Sequence, residues 1–197
     1  MQQIFLFPTI LSASTYPDHA AGNRIFAARI RSLIKERATQ THDRLHEDPA
    51  FTPLVEFIIG KVSERFDYFK YTQRDFFITS CWANLHRRGE GIATHRHPNS
   101  FLSGVYYVET QKESGKLIFR DPRKAELVFD VLTSEKTAWN CPQFEVRPVE
   151  GHLLLFPSWL EHDVERSWTD GERISVSFNV MLQGDLGSPD HLTRLTI

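Results

Sequence analysis

The sequence predicts a mainly β fold, an antiparallel sandwich or barrel with two N-terminal helices packed on one of its sheets. Apolar residues recur at helical spacing only ahead of about residue 70. From residue 76 onward, short segments rich in β-branched and aromatic residues alternate with Gly, Pro and Asp. The 197 residues, 41% apolar and 24% charged, have the composition of an ordinary globular chain and are long enough for one domain with a sizeable core. The expected division within that domain is a helical part over 1–75, a β core over 76–181 and a C-terminal tail over 182–197.

The first helix is expected from Asp18 to about Leu45, because Phe26, Ile30, Leu33 and Ile34 fall on one stripe with Arg and Lys opposite. The second is expected from near Pro53 to Tyr68, with Thr52 as N-cap and Pro53 at the first helical position. Its buried face would be Leu54, Phe57, Ile58, Val62 and Phe66. The segments "FFITSCWANLH", "LSGVYYVET", "KLIFRD", "QFEVRPV", "GHLLLFPS" and "RISVSFNVML" read as about six strands. Between the third and fourth, residues 121–143 read as a long connection with room for a short helix.

A net charge of −2 gives no electrostatic case for nucleic acid or an anionic membrane as partner. No apolar run approaches membrane-spanning length, and "MQQIFLFPTILSAS" lacks a basic start and is broken by Pro8, so it does not read as a signal peptide. Two cysteines, Cys81 and Cys141, fit neither a disulfide framework nor a zinc finger. Free thiols in a reducing cytoplasm are expected, with a single disulfide as the alternative.

Three elements carry the chemistry. In "GIATHRHPNSFLSGVYYV", His95 and His97 stand two apart, so an extended backbone projects both from one face, and Pro98 favours that backbone at His97. In "EGHLLLFPSWLEHDVERS", His162 follows a continuously apolar strand that must lie deep in the core. A strand-borne histidine can be held as rigidly as a metal ligand requires, although between Glu161 and Asp163 a surface histidine is the simpler local reading. In "GERISVSFNVML", Ile174, Val176, Phe178 and Val180 form one apolar face, and Arg173, Ser175, Ser177 and Asn179 form the other. That polar face meets water or lines a polar cavity, where an Arg could grip a carboxylate through two parallel bonds.

The order His-x-ligand, long gap, His, then Arg-x-Ser 11 residues later resembles the iron(II)/2-oxoglutarate oxygenases. The runs "IFLFPTIL", "HRHPNSFLSGVYYV" and "RISVSFN" are most similar to a bacterial and phage subgroup of unassigned substrate, with the aspartyl/asparaginyl β-hydroxylases a more distant likeness. The resemblance covers 76–181 and implies a double-stranded β-helix, the cupin-like jelly roll. It implies Fe(II) as metal and 2-oxoglutarate as cosubstrate, with His95, His97 and His162 as the ligands about which catalysis occurs. It further implies that Arg173 pairs with the 2-oxoglutarate C5 carboxylate, with Ser175 beside it and Asn84 as a polar partner. Tyr106 or Tyr107 would add a hydroxyl; alternation lets only one face inward, and Tyr106 is the assignment made from the sequence. The family pattern places a carboxylate where this chain has His97. Three imidazoles suit iron, while water, Asp121 or Asn99 in that position are the alternatives.

The implied activity is hydroxylation of an amino acid, a peptide or another small metabolite by O2, with release of succinate and CO2. A cupin-like three-histidine enzyme that does without 2-oxoglutarate would not require Arg173. A non-catalytic β-sandwich that binds a small acid would hold no stoichiometric iron. The basic residues His86, Arg87, Arg88, Arg120, Arg123 and Lys124 are expected to form a solvated rim rather than to meet an acidic substrate.

Overall fold

The structure, a computed structural model, describes residues 1–2, 4, 6–34, 38–123, 132–137 and 140–197. In chain order the elements are β1 Ser12–Thr15, α1 His19–Leu33, α2 Thr52–Phe69, β2 Phe76–His86, β3 Ile92–His95, β4 Leu102–Glu109, β5 Leu117–Arg120, β6 Gln143–Val146, β7 His152–Pro157, β8 His162–Val164, β9 Arg173–Leu182, β10 Asp185–Leu186 and β11 Leu195–Thr196. A five-stranded sheet in the order β1-β7-β4-β9-β2 faces a four-stranded sheet in the order β3-β8-β5-β6, and β10 pairs with β11. Every pairing is antiparallel. This is the jelly-roll arrangement expected from the sequence.

The larger sheet is buried on both faces, which explains the continuous apolar run of β7. Leu153 and Leu155 join α1 and α2 in one core, while Leu154 and Phe156 join Leu117, Phe119 and Val164 of the smaller sheet in a second. Strand β9 alternates in the same way, with Ile174, Val176, Phe178 and Val180 all under the helices. From α2, Leu54, Ile58, Val62 and Phe66 lie buried on that sheet. Each such side chain contributes about 1.5–3 kcal/mol. At Gly151 the turn into β7 needs a left-handed backbone, φ 77°, which glycine adopts without strain.

Helix α1 is shorter than the periodicity suggested, ending at Leu33 rather than near Leu45, with Ile34 already extended. The chain instead lays residues 39–43 along the outer edge of β2. There Cys81 and Leu85 donate backbone N–H bonds to Asp43 and Thr39, and Thr41 donates to Ala83. This strap satisfies an edge that would otherwise offer itself to another strand. Thr52 is not the cap of α2, because a 3-10 turn over Pro49–Phe51 leads directly into the helix and Asp48 caps that turn through Ala50 N–H. The short strands β1, β3 and β8 carry too few residues to show a periodicity. Residues 124–131 and 138–139 of the connection 121–143, with any short helix there and Lys124, lie outside the described residues. Both cysteines are free thiols. Among the described residues no helix is long and apolar enough to cross a membrane.

The edge strand β1 is held by a buried cation. Arg65 of α2 donates Nη1 to Ser12 Oγ and the Leu155 carbonyl at 2.6 and 3.2 Å, and Nη2 to the Ile10 carbonyl at 2.9 Å. Losing it strands buried acceptors, so Arg65→Leu is expected to destabilise the protein by about 2–3 kcal/mol. The check is the urea midpoint, which should fall with an unchanged slope; a wild-type midpoint contradicts this role.

Candidate active site

Between the sheets lies a cavity of about 380 Å³, walled on one side by the polar face of β9 and β2 and on the other by β3 and β8. The three histidines meet at it. His95 and His162 are 67 positions apart in sequence but are direct cross-strand partners on β3 and β8. Opposite residues of an antiparallel pair project to the same face. His97 follows β3 on a segment pinned by its own backbone N–H, which donates to the Ser158 carbonyl at 3.0 Å. Beneath that anchor runs a buried chain of hydrogen bonds. Ser103 Oγ donates to Asn179 Oδ1 at 2.7 Å, so the 2.8 Å contact between Ser158 and Ser103 must have Ser158 as donor.

One nitrogen from each of His95, His97 and His162 lies within 4.8 Å of the other two. Nδ1 of His95 sits 2.8 Å from the Ala93 carbonyl and Nδ1 of His162 sits 2.8 Å from the Leu160 carbonyl. A carbonyl only accepts, so both Nδ1 atoms carry the proton and both Nε2 lone pairs are free for an ion. Nε2 of His97 and Nε2 of His162 are 3.2 Å apart. Two nitrogens on bonds of about 2.1 Å to one metal stand about 3 Å apart at a right angle. Burial holds His97 and His162 down at about 4, assisted at His97 by the neighbouring His162 and His95, so both are neutral imidazoles near neutral pH. No carboxylate belongs to this cluster among the described residues. Asp121 instead bonds Arg123, Asp163 bonds Arg120 and Thr94, and Asn99 is exposed in a left-handed turn.

Arg173, Ser175 and Asn84 all line the same cavity. Arg173 is 2% exposed, and its Nε has no hydrogen-bond partner among the described residues. Tyr107, register partner of Ser175, lies with its ring 5.3 Å from the guanidinium, and its buried hydroxyl makes no well-formed hydrogen bond among the described residues, with Arg173 the group that acts on it. An orphaned guanidinium nitrogen on a residue that lines the cavity, with a phenol beside it, suits an anionic, hydrogen-bonding ligand. The assignment of Tyr106 is corrected: Tyr106 faces the helices, donates its hydroxyl to Asn23 at 2.6 Å and packs edge-on to Tyr16 and Phe26. The inward tyrosine is Tyr107, because Val105 and Tyr107 share the inner face of β4. Asn84 donates to Ser177 Oγ and accepts from Gln40.

Several residues at the cavity were not legible in the sequence. Gln40, Thr41 and Asp43 reach its mouth from the strap, and Trp82 of β2 lies 5.8 Å from the His97 ring. Trp82, Asn84 and His86 share a face by alternation, so Asn84 was the clue to the other two. The strap carried no such signal. Of the expected basic rim, Arg87, Arg88, Arg120 and Arg123 are each paired with a carboxylate. His86, by contrast, is buried against Arg173.

His86, His97 and His162 are each held near 4, foremost by burial, against an ordinary value of 6.5. Between about pH 6.5 and 4 the unfolded chain takes up protons that the folded chain refuses. The stability these groups provide is therefore complete above that window and is lost as pH falls through it. Urea midpoints of the metal-free protein at stepped pH should drop across this range; a flat profile contradicts the burial of these imidazoles.

A family model described as "Putative 2OG-Fe(II) oxygenase" matches residues 80–179, more than half of the chain. No curated protein matches it in sequence. Among solved structures, a prolyl-4-hydroxylase from Pseudomonas putida is 19% identical over 89% of each chain, with a TM-score of 0.62. The non-heme alpha ketoglutarate dependent epimerase SnoN is 14% identical over 89% of this chain and 79% of its own, with a TM-score of 0.67. HygX from Streptomyces hygroscopicus, crystallised with nickel and 2-oxoglutarate, is 14% identical over 87% of this chain and 81% of its own, with a TM-score of 0.59. These likenesses place the fold among such enzymes, and the family match adds the chemistry: the chain belongs to the 2OG-Fe(II) oxygenases, oxidoreductases that use iron(II) and 2-oxoglutarate.

Proposed function

We propose that this chain is a single-domain oxygenase in which His95, His97 and His162 hold iron(II) and Arg173 binds the C5 carboxylate of 2-oxoglutarate. The observation that carries this reading is the convergence of three imidazoles on a cavity that also holds a buried guanidinium with no described carboxylate as partner. The chemistry that iron(II) and 2-oxoglutarate supply when bound is oxidation by O2, with loss of CO2 and release of succinate. The chain's own part is to orient and to exclude water. Carbonyls of Ala93 and Leu160 fix two ligand tautomers, and Ser158 fixes the backbone at His97. Tyr107 would add its hydroxyl to the carboxylate held by Arg173, with Ser175 and Asn84 lining the approach. Ile92, Leu117, Phe156 and Val164 give the cavity an apolar wall.

Hydroxylation is the proposed outcome, on an amino acid, a peptide or another small metabolite entering past Trp82, Gln40 and Asp43. The two free thiols support a reducing, cytoplasmic setting. Succinate release that depends on both iron(II) and 2-oxoglutarate, run against candidate amino acids and peptides, tests the reading. Absence of both turnover and 2-oxoglutarate affinity in iron-loaded protein would sink it.

Anaerobic loading should give about one iron per chain, and His95→Ala or His162→Ala should reduce this to near zero. His97→Ala should weaken iron binding and His97→Asp should retain it, since a carboxylate is the commoner third ligand. Wild-type iron content in His97→Ala removes His97 from the ligand set. Arg173→Ala should raise the 2-oxoglutarate dissociation constant by roughly two to three orders of magnitude. Arg173→Lys should fall between, because an ammonium lacks the planar fork. Calorimetry on the anaerobic iron-loaded protein decides; unchanged affinity would favour a three-histidine enzyme that does without 2-oxoglutarate.

A further inference from the structure

Arg173 and His86 stand opposite each other in the β2–β9 register, at the end of one strand and the start of the other. Both are buried, at 2% and 3% exposure. Nη1 of Arg173 lies 3.1 Å from Nδ1 of His86. A guanidinium only donates, so Nδ1 accepts and the imidazole is neutral with its proton on Nε2. Among the described residues no carboxylate comes within ion-pair distance of Arg173, although its neighbours Arg87 and Arg88 both have one. The other charged group acting on His86 is Glu90, in the turn after β2.

A buried arginine needs its donors satisfied if its fork is to keep one orientation. An Asp or Glu opposite would do this and would also cancel the charge that an incoming anion requires. A neutral imidazole acceptor satisfies a donor and leaves the charge in place. We propose that His86 is a positioning residue for 2-oxoglutarate, holding the Arg173 guanidinium against the Tyr107 ring while leaving its charge for the C5 carboxylate. The proposal rests on the reading of Arg173 given above.

The test is calorimetric titration of 2-oxoglutarate into anaerobic iron-loaded wild type, Arg173→Ala, His86→Leu, His86→Asn and His86→Asp, with iron content and melting midpoint recorded for each. His86→Leu should raise the dissociation constant about tenfold. His86→Asn should recover most of that loss, because its Oδ1 offers a neutral acceptor close to the place of Nδ1. His86→Asp should raise the constant by roughly a hundredfold through neutralising Arg173. Iron content should be the same in all four variants. A purely structural role would shift the melting midpoints and leave the affinities of Asn and Asp variants equal, which overturns the proposal. A His86→Leu constant within about twofold of wild type overturns it too. If the Leu variant does not fold, the contrast between Asn and Asp decides alone. Wild type without affinity, or Arg173→Ala binding like wild type, removes the reading of Arg173 itself and His86's role with it, whereas loss in Arg173→Ala alone leaves that reading standing and refutes only the role of His86.

Discussion

Strand β9 is buried on both faces, and the alternation of its side chains is the constraint to which the rest of the structure answers. Its even-numbered residues, from Ile174 to Val180, form the floor on which α1 and α2 pack. Arg173, Ser175 and Ser177, on its other face, are the polar wall of the cavity. A slip of one residue would put Arg173 under the helices and Phe178 in the cavity. The register with β2 and β4 therefore settles the hydrophobic core and the chemistry together. It also decides between the tyrosines of β4: Tyr107 stands opposite Ser175 and looks inward, whereas Tyr106 stands opposite Val176 and looks at Phe26.

Apart from Asp43 of the strap, the cavity is lined by groups that are neutral or cationic. Burial keeps His86, His97 and His162 neutral near neutral pH, and Arg173 meets the His86 imidazole and the Tyr107 ring, with no carboxylate partner among the described residues. The other nearby carboxylates are engaged elsewhere, Asp163 with Arg120 and Asp121 with Arg123. A divalent cation held by these three neutral imidazoles, as proposed above, would add to the buried guanidinium a positive charge that a low-dielectric space leaves poorly compensated. A dicarboxylate with one end toward the histidines and the other toward Arg173 would be the kind of counter-ion such a space accepts.

Much of this was legible in the sequence, for physical reasons. Strands β2 and β9 were delimited to the residue because a strand of ten or more positions shows its period and its punctuation. The histidine set was visible because His95 and His97 share a period of two and His162 follows a strand too apolar to lie at the surface. Strands β1, β3 and β8 have three or four residues each, and nothing in so few positions betrays a partner. The pairing of His95 with His162 is a long-range register, which local spacing cannot encode. Helix α1 was drawn too long because the apolar stripe ends without a Gly or Pro to stop it, while the strap that follows is decided by the open edge of β2. In the sequence His86 reads as a rim residue because Arg87 and Arg88 beside it belong there; only the cross-strand position of Arg173 separates them.

The strap has one more consequence. It is held to β2 by backbone bonds, Asp43 contributing its carbonyl and Thr41 its N–H, and by the side chains of Thr41, which accepts the Ala83 N–H, and Gln40, which donates to Asn84. The Asp43 side chain, by contrast, serves the mouth of the cavity and no hydrogen bond that closes the sheet. Edge closure thus draws on the main chain of Asp43 and leaves its side chain to the cavity. A chain built this way can exchange the chemistry at its entrance while the edge closure stays intact, so a single scaffold is open to divergence in what it admits without first having to gain stability.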